Sequence, residues 1–316
     1  MSDEPVFLHG ILPRSGTNYL WDLLLLHPDC ARGREPVNED LFLDHADPLV
    51  DFVKTVREAW DPIWGDYPAG ISDDLCAALG RGLLSFLRVD DGRRLIAKSP
   101  SVRHIDWFFR FFPQAKLLLL VRDGRSVAQS AMATFGWDLD RAGRAWAEAA
   151  REILTFQRAE STRADSWLVI RYEDLVDDPE ETLRSIFEFL GLDPNRYDFD
   201  AARDLPVRGS SAFGRREGQV HWESVPRDAQ FDPRARWQTW TPAQRNRFEW
   251  LAGQELHALG YGPAPVPTSL GATVQQSGRD LIWNTSRLVR LMTYRLRVKL
   301  AIRTRIAGLL KASPRA

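Results

Sequence analysis

The 316-residue chain predicts an α/β fold: a three-layer sandwich around a central parallel sheet, with an added C-terminal amphipathic helix. Three observations carry this. Short apolar runs (Val6–His9, Leu95–Ala97, Ala115–Val121 and Trp167–Ile170) alternate with helical patterns. The run Leu117-Leu118-Leu119-Leu120 is apolar at both parities, as a strand covered on both faces requires. A small-residue turn, His9 to Tyr19, joins the first strand to the first helix.

In chain order, Val6–His9 is the first strand and Thr17–Leu26 the first helix, stopped at His27-Pro28. Residues 29–95 read as irregular and aromatic, with a turn-rich Trp60-Asp61-Pro62-Ile63-Trp64 and a helix near Asp73–Leu87. Leu95–Ala97 is a short strand, Val102–Phe112 a helix, Ala115–Val121 a buried strand, and a helix follows Asp123-Gly124. Over Leu139–Ser161, Trp146, Ala149, Ile153 and Phe156 share one helical face. After the strand Trp167–Ile170, Asp178-Pro179-Glu180-Glu181 opens a helix with a cap, a first-turn proline and a capping-box glutamate, and Gly191 ends it. Thr241-Pro242-Ala243-Gln244 repeats that start, for a helix reaching Gly260. The expected organisation is a body over 1–261, a linker over 262–278 without charged residues, and a basic amphipathic tail over 279–316. In the tail, Leu288, Met292, Leu296 and Leu300 recur every four residues.

Net charge is −1, unevenly spread. From Arg279 onward there are ten Lys/Arg against one acid, Asp280, a net of +9, which leaves −10 over residues 1–278. An acidic body disfavours a nucleic-acid partner, whereas the tail suits an anionic membrane surface, a protein partner or the chain's own acidic body. Cys30 and Cys76 make no disulfide framework, so a reducing, cytoplasmic setting is expected, peripheral to a membrane if the tail anchors the chain. The histidines and cysteines show no metal-ligand spacing, so no metal is expected.

The turn nearly fits the nucleotide-binding pattern G-x-x-x-x-G-K-[ST], giving a P-loop-like character to the expected sandwich. Gly10 and Thr17 fit, but Ser15 and Gly16 stand where the second glycine and the lysine belong, and the fixed cation is Arg14. A strand-turn-helix of small residues aims backbone N–H groups at an anion. Residues of this loop and of other strand ends, Lys98-Ser99-Pro100, Arg122-Asp123-Gly124 and Arg171-Tyr172-Glu173, are therefore expected at one rim.

Pro13-Arg14-Ser15-Gly16-Thr17, together with the segment Leu117 to Ser130, resembles the sulfotransferases that use 3′-phosphoadenosine-5′-phosphosulfate (PAPS). Its Arg-Asp-Gly-Arg wording is nearest the tyrosylprotein sulfotransferase branch. The resemblance implies that Arg14, Ser15, Gly16, Thr17 and Asn18 cradle the 5′-phosphosulfate. It implies that Arg122 and Ser130, eight residues apart, hold the 3′-phosphate. Tyr19 and Tyr172 are implied near adenine, with core packing the competing role of each. Arg208, Ser210 and Ser211 match a loop that closes over the co-substrate, and equally a plain turn. Transfer to a hydroxyl needs a base and positive charge on the leaving phosphate. Arg14 suits the charge and Lys98 the family's second lysine; Glu35, 21 residues after Arg14, is the expected base, with Glu39 and Asp40 competing. Pro100 stands where the phenol-acting members carry a catalytic histidine.

The resemblance implies an enzyme taking PAPS and releasing PAP. Its acceptor bears a hydroxyl; a glycan or lipid-linked saccharide would suit a surface-bound enzyme, and a homodimer is left open. Two other readings stand beside it: a P-loop kinase or NTPase, and a non-catalytic membrane-associated binding module.

Overall fold

The structure is a computed structural model that describes residues 4–64, 70–89, 91–205, 207–208, 215–216, 219–220, 224–225, 236–265 and 269–287. Its elements in chain order are β1 (Val6–Gly10), α1 (Thr17–Leu25), β2 (Cys30–Arg32), α2 (Asp47–Trp64), α3 (Ile71–Leu87), β3 (Arg94–Ser99), α4 (Phe108–Phe111) and β4 (Lys116–Val121). Then come α5 (Gly124–Phe135), α6 (Leu139–Ala159), β5 (Trp167–Arg171), α7 (Tyr172–Asp177), α8 (Pro179–Leu190) and α9 (Phe199–Arg203). Four two-residue strands follow: β6 (Val207–Arg208), β7 (Arg215–Arg216), β8 (Gln219–Val220) and β9 (Ser224–Val225). The helix α10 spans Pro242–Ala258, and a further helix, α11, covers residues 270–287.

The main sheet has five strands in the order β2-β3-β1-β4-β5, all parallel. Side-chain alternation sorts its residues into two apolar layers. Phe7, Leu95, Ala97, Leu117, Leu119 and Val121 face one way and pack with α2 to α6 and α10. Val6, Leu8, Ile96, Leu118 and Leu120 face the other, against α1, α7 and α8. The four leucines of β4 are fully buried, as a doubly covered strand demands.

From β1 the chain crosses to the sheet edge at β2, returns through β3 beside β1, and then passes to the other side, through β4 and β5. This reversal opens the sheet at the carboxyl ends of β1 and β4. Gly10 is in register with Leu120, and the Ile11 amide donates to the Leu120 carbonyl at 2.9 Å. The loop after β1 and the residue after β4, Arg122, therefore meet at one rim.

Local signals set most helix ends. The Asp178 carboxylate accepts from the Glu181 amide at 3.1 Å, and Gly191 closes α8 in the left-handed region. Thr241 and Gln244 form a complete capping box on α10.

Three expectations change. Residues 47–64, expected as irregular, form α2; Val50 and Val53 face the core, and Pro48 occupies its first turn as Pro179 does in α8. Val102–Phe112 is only a short 3-10 turn and a single helical turn, because four phenylalanines crowd it against the sheet. The expected linker is helical from residue 270: the Ser269 hydroxyl caps it by accepting from the Ala272 amide at 3.3 Å. The chain divides into a unit over Met1–Ala264 and a second over Pro265–Ala316.

Candidate active site

Gly10 and Gly16 are the two places where the loop tolerates no side chain. A Cβ on Gly10 would stand 2.4 Å from the Ser15 hydroxyl and from a Thr17 methyl. Gly16 has φ near +102°, and a Cβ there would meet the Tyr172 ring at 2.5 Å. The lysine of the nucleoside-triphosphate pattern has no room at this position. Arg14 also has positive φ, which turns the backbone so that the loop closes over α1. Ser15 is fully buried, and its hydroxyl has no hydrogen-bond partner among the described residues. A buried hydroxyl left unsatisfied is costly, and an oxyanion held in the loop would satisfy it.

On the β4 side of the loop, Arg14 Nε donates to Ser130 Oγ at 3.1 Å. Arg122 Nη1 donates to the Arg14 carbonyl at 2.8 Å, and its guanidinium lies 4.3 Å above the Tyr172 ring. Arg122 is buried, and the Trp146 indole N–H donates to its carbonyl at 3.1 Å. Asp123 is held in turn: its amide donates to Glu173 at 3.0 Å, and its carboxylate caps α5 and binds Arg125. Two guanidinium groups and a hydroxyl are thus fixed beside the loop by partners on β4, α5, α6 and α7. Two positive charges set beside one loop suit an anion there.

On the β3 side stands Lys98, 4% exposed. Its parity matches Ile96, so it points to the face that α1 covers. There Nζ donates to Asn18 Oδ1, lies 5.1 Å from the Trp21 ring centroid and pairs with Glu39 at 3.6 Å. The Asp40 amide donates to the Lys98 carbonyl at 3.0 Å, which lays residues 39–40 along the end of β3. Asp40 is buried; desolvation pushes its pKa up to about 7, with Asp44 and Glu39 adding to the rise and the Phe42 amide opposing it. On the opposite face His9 is buried with its Nδ1 2.7 Å from the Ser101 carbonyl, and desolvation lowers its pKa to about 4.

The structure brings Arg14, Ser15, Gly16, Thr17, Asn18, Lys98, Arg122, Ser130 and Tyr172 together at the loop. Tyr172 serves as the surface against which Arg122 and Gly16 are set. Tyr19 is half-buried against the α8 layer. Glu35 is placed differently from Glu39: its carboxylate is 75% exposed and pairs with Arg32 at 3.1 Å. β2 ends at Arg32, and beyond it the chain leaves the sheet: the Arg34 amide donates to the Leu87 carbonyl at 2.8 Å and the Val37 amide to the Arg34 carbonyl at 3.0 Å. Arg208 lies in β6, and its side chain is outside what the structure describes; Ser210 and Ser211 lie outside the described residues. Trp21 was not expected at the site. Its indole donates to the Ile96 carbonyl at 3.0 Å, and Lys98 and Arg32 both approach its ring. The sequence signal was its spacing three residues after Asn18, on the same helix face.

A family model described as "Sulfotransferase family" matches residues 5–196, which include every residue gathered at the loop. The chain belongs to the sulfotransferase family. Among its relatives, protein-tyrosine sulfotransferase 1 of Danio rerio is 24% identical over 281 residues, covering 85% of this chain and 76% of that protein. Protein-tyrosine sulfotransferase 2 of Gallus gallus is 29% identical over 205 residues, covering 60% of this chain and 52% of that protein. The sulfotransferase domain of the Synechococcus PCC 7002 olefin synthase aligns with 25% identity and a TM-score of 0.49, over 82% of this chain and 96% of that one.

This sulfotransferase takes its sulfuryl group from PAPS and releases PAP, and the residues present fit that co-substrate. The unsatisfied Ser15 hydroxyl and the side-chain-free cradle at Gly10 and Gly16 suit the 5′ group, while Arg122 and Ser130 suit a second phosphate. The kinase or NTPase reading gives way, both to the family and to the closed space at Gly16.

Proposed function

We propose that this sulfotransferase acts on the phenolic hydroxyl of a tyrosine in an acceptor polypeptide. The reading of the donor site rests on one observation above the others: Arg14, Arg122 and Ser130 are hydrogen-bonded into one group beside the loop. The acceptor class is carried by the relatives, both named protein-tyrosine sulfotransferases. A glycan or lipid-linked saccharide, the other acceptor expected from the sequence, followed from a surface-bound enzyme rather than from a residue gathered at the loop.

In the reaction the acceptor oxygen bonds to sulfur, the bond from sulfur to the phosphate oxygen breaks, and PAP departs with that electron pair. Arg14 neutralises charge growing on the leaving phosphate; a guanidinium delivers no proton, so its contribution is electrostatic. Amides of Gly16, Thr17 and Asn18 at the start of α1 add the positive end of the helix. Lys98 holds a second positive charge toward the transferring group from the β3 side. Arg122 and Ser130 bind the 3′-phosphate and fix the donor's direction.

Glu35 takes the acceptor proton in this proposal. Glu39 faces the buried Lys98 at 3.6 Å, whereas the partner of Glu35, at 3.1 Å, is the half-exposed Arg32. The Glu35 carboxylate is exposed, so an acceptor hydroxyl can reach it from solvent.

Mass spectrometry tests both parts. The full chain is incubated with PAPS and, in parallel, with tyrosine-containing peptides, glycans and lipid-linked saccharides. One added sulfate on tyrosine alone is the expected result, and sulfation of saccharide alone overturns the acceptor. Glu35→Gln should lower the transfer rate by about 100-fold or more while leaving PAP binding unchanged. If Glu39→Gln does so instead, the base is Glu39.

A further inference from the structure

The helix α11 presents an apolar face that its own unit leaves in solvent. Leu270, Val274 and Leu281 are 87%, 73% and 65% exposed. At 100° per residue these three fall within about 40° of one another, so they form one stripe rather than scattered exposures. Arg279 lies across the helix from that stripe, and Ile282 widens its edge. In the sequence beyond, Leu288 and Met292 come at the spacing that would continue the stripe. Eight further Lys/Arg follow residue 288 with no acid among them: Arg290, Arg295, Arg297, Lys299, Arg303, Arg305, Lys311 and Arg315.

We propose that α11 and the basic segment after it bind the surface of an anionic lipid membrane, with the Leu270–Val274–Leu281 stripe in the acyl boundary. Three features favour lipid over other occupants. A second copy would bring two segments of net +9 together, with no acid except Asp280 to relieve them. The cations are interleaved with Leu, Ile and Val over the whole segment, which suits a planar charged surface with an apolar interior. No described helix is long and apolar enough to cross a membrane, so the binding is of the kind that lies in the interface. The body, net −10 over residues 1–278, would be repelled by the same surface, so attachment falls to this segment alone.

The test is co-sedimentation of the full chain with vesicles of phosphatidylcholine alone and with a third of phosphatidylserine. The expected result is binding to the anionic vesicles, little to the neutral ones, and a steep loss between about 0.1 and 0.5 M salt. Combined Leu270→Asp, Val274→Asp and Leu281→Asp should weaken binding about tenfold or more. These side chains are exposed, so the thermal midpoint should not change; a second protein, with Arg290, Arg295, Arg297 and Lys299 changed to Gln, reads the charge separately. No binding, equal binding to both vesicles, or binding unaffected by either set of changes would overturn the proposal. So would a dimer in solution that the apolar substitutions dissolve while vesicle binding persists.

Discussion

Gly16 carries two constraints at once, and they explain why the loop departs from the nucleoside-triphosphate pattern. Its backbone is left-handed, and the Tyr172 ring fills the place of a side chain. Gly16→Ala should therefore both strain the backbone and displace Tyr172, on which Arg122 rests. The expected outcome is a thermal midpoint several degrees lower and weaker PAP binding, read by scanning calorimetry and by titration. Arg122 is the sharper probe of the anion site. Arg122→Lys keeps the charge but loses the planar fork and its stacking on Tyr172, so PAP affinity should fall by roughly tenfold, and Arg122→Ala by more. Most residues gathered at the loop were legible because they sit on strand ends or at a helix start. Trp21 was not, since an aromatic on a helix carries no local pattern that separates site from scaffold; Glu39 was legible as a competing base, but its pairing with Lys98 was not.

At the scale of elements, strands and capped helices could be read because their signals are local. The β4 leucines, the Asp178-Pro179 start and the Thr241 capping box all appear where expected. The helix α2 was missed because its start, Asp47-Pro48, precedes a charged, aromatic stretch whose buried residues, Val50 and Val53, are few. The edge strand β2 has three residues, too short for a period, and exists through pairing with β3. Packing between α6 and α10 includes a buried ion pair: Arg247, fully buried, binds Asp140 through Nε at 2.9 Å and again through Nη2. Removing one partner takes this ion pair from the other buried charge. Arg247→Met should cost about 3–5 kcal/mol in denaturant unfolding, more than Asp140→Asn, which keeps an acceptor for the guanidinium.

Across the whole molecule, two buried groups at the sheet's carboxyl rim give stability a pH dependence of opposite sign. Asp40 has a folded pKa of about 7, above its ordinary value of 3.8, so its contribution is fully present below about pH 4 and is lost as pH rises through about 7. The loss is on the order of 4 kcal/mol. Asp40→Asn keeps an oxygen for the Phe42 amide, so it should raise the thermal midpoint at pH 8 and flatten the curve between pH 4 and 7. His9 behaves the other way. Its folded pKa of about 4 lies below the ordinary 6.5, so stability is present above pH 6.5 and falls as pH drops toward 4.

These rim groups, the loop and the paired arginines make one claim about the molecule: the crevice between β1 and β4 is a PAPS site. Calorimetric titration of the full chain with PAP, beside Mg·ATP and the Arg122→Ala variant, tests it most directly. One PAP per chain, much weaker binding of Mg·ATP, and PAP affinity reduced at least tenfold in the variant are expected. PAP binding left unchanged by Arg122→Ala, or Mg·ATP binding more tightly than PAP, would contradict it.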